Sequence, residues 1–229
     1  MTSRAVTFDA GQTLVELDTA MLAARLAERG VQVGADALVA AQPAAWRRYD
    51  EIVKQGGHET PWQVFMASLL AGAGVAEDAT PALAAWLWDE QPRRNLWRRP
   101  IAGMFELAAE LAARGIPVGI LSNSEGRLAE LIDEIGWRAP FTVIVDSGRV
   151  GVAKPDRAIF DHAARALGVA PAEVVHIGDS RSADIDGARA AGMRAIWFGE
   201  AARPTGDDGV AVAADAGAVR AALVRWGLG

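Results

Sequence analysis

The sequence contains no cysteine. Disulfides, thiolate metal sites and thiol nucleophiles are therefore excluded, and a reducing, cytoplasmic location is the expectation. A basic excess is missing too: 23 lysines and arginines face 29 aspartates and glutamates, a formal charge of −6. A nucleic-acid-binding surface carries the opposite balance, so no nucleic-acid partner is expected. Small anionic substrates stay open, because a local cluster of charge overrides the net value. No apolar run approaches the ~20 residues that span a bilayer, and no membrane partner is expected. Met1-Thr2-Ser3-Arg4 runs straight into an apolar segment, so no signal peptide is expected ahead of the fold.

What is present reads as a globular chain. Hydrophobic residues make up 51% and charged residues 23% of 229 positions, which suits one large domain or a core with a modest insertion. Leu17, Met21, Leu22, Leu26 and Val31 recur at helical spacing, with Asp18 or Thr19 as the N-cap. Further helical patterns cover 35–54, 60–73 and 79–92, separated by Gly and Pro breaks. No strand pattern appears between residues 15 and 98, which predicts an all-helical insertion.

Beyond residue 101 helix and strand alternate. The pattern predicts a helix over 102–114, a strand at Ile116–Leu121 and a helix directly after Ser124. A strand at Phe141–Val145, a helix over 156–167, a strand over 173–177, a helix over 182–191 and a strand over 194–198 follow. Residues 210–213 add an edge strand and Ala216–Trp226 a closing helix. Short apolar runs joined by amphipathic helices predict an α/β fold with a doubly wound parallel sheet. The expected division is an α/β core of residues 1–14 and 99–229 with a helical insertion of residues 15–98.

Ala5-Val6-Thr7-Phe8-Asp9-Ala10-Gly11-Gln12-Thr13-Leu14 ends an apolar run on one aspartate and turns at once. A carboxylate there lies where open α/β sheets bind ligands, although Asp before a Gly turn is also common punctuation. Ile120-Leu121-Ser122-Asn123, Gly151-Val152-Ala153-Lys154-Pro155-Asp156 and Val174-Val175-His176-Ile177-Gly178-Asp179-Ser180, with Asp184 beyond, follow in order. Together these four segments resemble the four motifs of the haloacid dehalogenase (HAD) superfamily. The likeness runs from Phe8 to about Met193, apart from residues 15–98.

The resemblance implies a Rossmann-like core with a C1-type helical cap and a hydrolase acting on a small phosphorylated metabolite. Asp9 would be the nucleophile, giving an aspartyl-phosphate that divides one hard hydrolysis into two easier steps. Mg2+ prefers oxygen ligands and few carboxylates; by resemblance Asp9, the Gly11 carbonyl and Asp179 supply them. Ser122 and Asn123, at a strand end before a helix, suit an anion, and Thr13 either joins them or fixes the loop. Lys154 would neutralise both Asp9 and the phosphate, with Pro155 in the first helical turn. Asp184 either orients a metal-bound water or Lys154, or caps the helix carrying Ala188 and Ala191.

One position departs from the pattern. Most phosphatases of the superfamily carry a second aspartate two residues after the first, as general acid and base, and this chain has Gly11. Either the substrate has a good leaving group, or Gln12, Glu16 or His58 substitutes, or the protein is a weakened enzyme or binding module. Haloacid dehalogenases also lack that aspartate, but Asp179 has no purpose in metal-free attack on an alkyl halide. Trp46, Trp62, Trp86 and Trp88, with Trp97 after them, read as packing residues of the insertion. Arg93, Arg94, Arg98 and Arg99 read as a solvated face or as an attractor for anions. No pattern fixes the oligomeric state.

Overall fold

The computed structural model describes residues 3–54, 61–199 and 202–228; His58 lies outside them. The chain forms two compact units, one of Met1–Glu16 with Trp97–Gly229 and one of Leu17–Leu96. Among the described residues no helix is long and apolar enough to cross a membrane.

The first unit is built on a six-stranded parallel sheet. Its strands are β1 (Ala5–Phe8), β4 (Val118–Ser122), β5 (Val143–Asp146), β6 (Val174–Gly178), β7 (Arg194–Phe198) and β8 (Val210–Ala213), in the order β5-β4-β1-β6-β7-β8. Every residue of β1, β4 and β6 is buried, as strands covered by helices on both faces must be. Alternation along β1 divides the core. Val6 and Phe8 pack with α5 (Met104–Ala113), α6 (Leu128–Glu134) and α10 (Ala216–Arg225). Ala5 faces the opposite layer with α8 (Arg157–Ala166) and Ile185, and Thr7 and Asp9 share that parity.

A second, two-stranded ladder joins β2 (Val15–Leu17) to β3 (Trp97–Pro100). The expectation of no strand between residues 15 and 98 is therefore corrected at both ends. A three-residue strand is too short to show a period-two pattern, and Ile101 N–H bonding the Leu14 carbonyl at 2.8 Å prolongs the pairing.

Two further expectations shift. The helix expected directly after Ser124 begins only at Leu128, because the buried Asp146 carboxylate holds the intervening loop. One oxygen accepts the N–H groups of Gly126 and Gly148, the other that of Leu128. The helix expected over 182–191 is a π-helical turn, Arg181–Asp186, followed by α9 (Gly187–Ala190).

The second unit holds α1 (Thr19–Glu28), α2 (Ala35–Lys54), α3 (Pro61–Gly72) and α4 (Thr80–Glu90). Asp18 caps α1 by accepting the Met21 N–H at 2.8 Å. The indoles belong to this unit's own packing: Trp46 lies 4.2 Å from the Phe65 ring and Trp62 5.2 Å from Trp88. Arg25 is wholly buried and donates to the Arg94 carbonyl at 2.7 Å. Its guanidinium and that of Arg29 both lie over Trp86.

Asp146→Ala removes three charge-assisted acceptor contacts at once. It should cost about 3 kcal/mol, a fall in Tm of roughly 6–12 °C for a chain of this length. A thermal melt that moves by less would show that the loop after β4 is held by something else.

Candidate functional site

The site assembles at the carboxyl ends of β1, β4 and β6 in the first unit, where adjacent strand ends leave a crevice. Asp9 follows β1, and its N–H bonds the Ile177 carbonyl of β6 at 2.7 Å. The chain then turns tightly, with Leu14 and Val15 N–H both bonding the Ala10 carbonyl at 2.9 Å.

Lys154 is the centre of the arrangement. Its ammonium donates to Asp9 Oδ1 and to Asp184 Oδ1, each at 2.5 Å, and to the Leu121 carbonyl at 3.0 Å. All three of its hydrogens are thereby committed. The Asn123 side chain grips the same residue's backbone, donating to the Lys154 carbonyl at 3.0 Å and accepting its N–H at 2.8 Å. Pro155 precedes α8 after a cis peptide instead of standing in its first turn, and Asp156 is the cap, accepting the Ala158 N–H.

Asp184 is 1% exposed. Its second oxygen accepts the Ser180 N–H at 3.0 Å, and His176 Nε2 meets the first at 3.0 Å. The cap of the π-helical turn is Ser180, which accepts the Ala183 N–H. Asp184 thus contacts Lys154, while the cap bond of the turn comes from Ser180. Gly178 makes room for it: a Cβ there would lie 2.3 Å from Asp184 Cγ.

Asp179 completes the cluster. One carboxylate oxygen each from Asp9, Asp179 and Asp184 lies within 4.8 Å of the others, and Trp197 Nε1 fixes the Asp179 carbonyl at 2.8 Å. Burial raises the Asp9 carboxyl above its ordinary range, with Lys154 and the Ser122 hydroxyl opposing. Asp179 is raised well above its range by burial and by the neighbouring carboxylates Asp184 and Asp9. Burial pushes Asp184 up as well, but Lys154 and the His176 hydrogen bond outweigh it and hold the carboxyl low. The same carboxylates carry the Lys154 ammonium upward against its burial. Three carboxylates around one ammonium leave an excess of negative charge on hard oxygen donors, which fits a divalent cation such as Mg2+. Asp9, Asp179 and Asp184 are the side chains that could hold it, and both Asp184 oxygens already accept hydrogen bonds.

The remaining expected residues differ in their placing. Ser122, at the end of β4, reaches Asp9. Thr13 is wholly buried, and its hydroxyl has no hydrogen-bond partner among the described residues. Gly11 adopts no left-handed conformation, and a Cβ there would meet Trp97 Cδ1 at 3.6 Å, an ordinary contact. The backbone would therefore accept an aspartate at this position. Gln12 has φ 55° and a buried amide nitrogen without a partner among the described residues. Glu16 pairs with Arg99 at 2.9 Å. Arg93, Arg94 and Arg98 likewise face Glu90, Glu28 and Glu134, as a partnered surface does. Sequence reasoning assigned no role to Thr7, His176 or Trp197; the one signal was a histidine inside the apolar run Val174–Gly178.

A model of the haloacid dehalogenase-like hydrolases matches residues 3–192. The chain is 34% identical over 166 residues to the phosphoserine phosphatase of Thermus thermophilus, covering 70% of this chain and 65% of that one. It thus spans just under two thirds of that relative's length. The glyceraldehyde 3-phosphate phosphatase of Methanopyrus kandleri is 29% identical over 199 residues, 83% of this chain and 81% of that one. Among solved structures, the magnesium-bound HAD-hydrolase YfnB of Bacillus subtilis superposes with a TM-score of 0.73 at 20% identity, over 97% of this chain and 99% of that one. At that identity the likeness establishes the fold.

Removing one carboxylate from the cluster should relieve repulsion. In chelator at neutral pH, Asp179→Asn should raise Tm by roughly 2–4 °C, the shift for about 1 kcal/mol. A lower Tm in a calorimetric scan would mean that Asp179 is held by contacts stronger than its repulsion.

Proposed function

The chain belongs to the haloacid dehalogenase-like hydrolases, and on that premise we propose that it is a Mg2+-dependent phosphohydrolase working through an aspartyl-phosphate on Asp9. The observation that carries this reading is the Lys154 ammonium, 2.5 Å from Asp9 Oδ1 inside a cluster of three carboxylates. A bare carboxylate repels a phosphate dianion; one neutralised on its flank does not. Relatives named as phosphatases of phosphoserine and of glyceraldehyde 3-phosphate support a small phosphorylated metabolite as substrate. A cytoplasmic setting agrees with the absence of cysteine.

Asp9 attacks phosphorus in line with the leaving oxygen, which departs with the electron pair of the broken P–O bond. Water then attacks phosphorus of the aspartyl-phosphate, freeing inorganic phosphate and restoring Asp9. Ser122 and Thr13 hold the phosphoryl group by hydrogen bonds, Lys154 neutralises it by its charge beside Asp9, and Asn123 contributes by clamping the Lys154 backbone. Asp9, the Gly11 carbonyl and Asp179 would hold Mg2+, which supplies charge neutralisation at the phosphoryl oxygens. Residues 15–98 serve as the cap that selects the substrate, on a core of residues 1–14 and 99–229.

Gly11 offers no proton to the leaving group, a form of help worth roughly 10²–10⁴-fold. Acyl and aryl phosphates, which leave unaided, are the favoured chemistry. Gly11 also keeps a second reading in view, a haloacid dehalogenase in which Asp9 attacks carbon. The cation-ready Asp179 weighs against it.

The test is phosphate release from aryl phosphates of graded leaving-group pKa, with Mg2+ and with chelator. Release should need Mg2+, vanish in Asp9→Asn and fall steeply as the leaving group worsens. Gly11→Asp should raise turnover on the poorest leaving groups by up to ~10²-fold and change the best ones little. Undiminished release in chelator contradicts the metal; halide release from a 2-haloacid without phosphate release favours the second reading.

A further inference from the structure

His176 is 0% exposed, on the central strand β6, in the layer that holds Ala5, Phe160 and Ile185. Its register partner on β1 is Thr7, and paired residues on neighbouring strands share one face. Thr7 Oγ1 lies 2.9 Å from His176 Nδ1, and His176 Nε2 lies 3.0 Å from Asp184 Oδ1. The Phe160 ring packs edge-on against the imidazole at 5.5 Å.

Asp184 fixes one ring proton. An ionised carboxylate only accepts hydrogen bonds, so Nε2 must carry the proton. With Nδ1 bare, that nitrogen is the acceptor and the Thr7 hydroxyl, free to rotate, donates to it. Both ring nitrogens are satisfied, and the hydrogen bonds run one way: Thr7 to His176 to Asp184. Asp184 Oδ1 is the same oxygen that accepts from Lys154, and Lys154 meets Asp9. A residue wanted only for packing would need no nitrogen at either place, and a buried imidazole without partners is costly.

We propose that His176 is a positioning residue, fixed as the Nε2–H tautomer by Thr7, which locks the Asp184 carboxylate so that Asp184 holds the Lys154 ammonium against Asp9. It touches neither substrate nor reacting atoms. Without it Asp184 keeps the Ser180 N–H on one oxygen and the Lys154 ammonium on the other but loses its tie to β6, and Lys154 loses its fixed point. This inference rests on the phosphohydrolase reading for its effect on rate, though not for its effect on Lys154.

Three variants separate the possibilities. His176→Phe removes both nitrogens and should lower kcat about 10–100-fold, the usual cost of losing an outer-shell partner, with KM little changed. His176→Gln returns an N–H near the Nε2 position and should recover most of that loss. Phe160→Leu disturbs the same packing without the hydrogen bonds; it should lower Tm and leave kcat unchanged. If His176→Phe fails to fold, Thr7→Val, which deletes only the hydroxyl, should lower kcat in the same direction by a smaller factor.

Nitrogen NMR decides the matter independently of turnover. His176 should show a protonated Nε2 and a bare Nδ1, and the Lys154 ammonium signal should shift in His176→Phe but not in Phe160→Leu. A proton on Nδ1, an unmoved Lys154 signal, or equal kcat losses in His176→Phe and Phe160→Leu would overturn the proposal. If the wild-type protein releases no phosphate while Lys154 still responds to His176, the phosphohydrolase reading fails and the positioning role stands.

Discussion

One buried ammonium makes the rest of this site possible. Asp9, Asp179 and Asp184 crowd the ends of the central strands, and like charges brought together out of water repel strongly. Lys154, with its three hydrogens on Asp9, Asp184 and the Leu121 carbonyl, is what opposes that repulsion at Asp9 and Asp184. The surrounding architecture serves that placement. Asn123 clamps the lysine's backbone from both sides, Asp156 starts the helix just beyond it, and Gly178 leaves the space that Asp184 fills.

The compensation is incomplete, and the shortfall points to chemistry. Asp179 has no lysine of its own, and its carboxyl is raised by burial and by the two neighbouring carboxylates. The proposed Mg2+ would complete that group, since hard oxygen donors of one charge suit a divalent cation. Absence of the second aspartate then becomes a question of chemistry instead of space. The backbone at Gly11 would accept a side chain, so room for a Cβ does not account for its absence.

Much of the fold could be read from sequence because its signals are local. Apolar runs such as Val118–Leu121 and amphipathic stretches such as α8 declare themselves without their neighbours. Asp9, Lys154, Asp179 and Asp184 were legible through their motifs, and they do meet. What escaped were relations between distant positions. Asp146, whose carboxylate delays α6 to Leu128, is a strand-end aspartate with no local mark of that duty. His176 matters through Thr7 and Asp184, one of them 169 positions away. Strand β2 was too short to declare itself, and Glu16 and the arginines after residue 92 are explained by ion pairs that only folding creates.

The most direct measurement is on Asp9 itself. The protein is mixed with a good aryl phosphate and Mg2+, quenched in acid during turnover, and the peptide containing Asp9 is weighed by mass spectrometry. The account predicts a fraction heavier by one phosphoryl group on Asp9, absent from Asp9→Asn. Steady phosphate release with Asp9 never modified would contradict it, because the flanking lysine and the carboxylate cluster would then be serving direct attack by water.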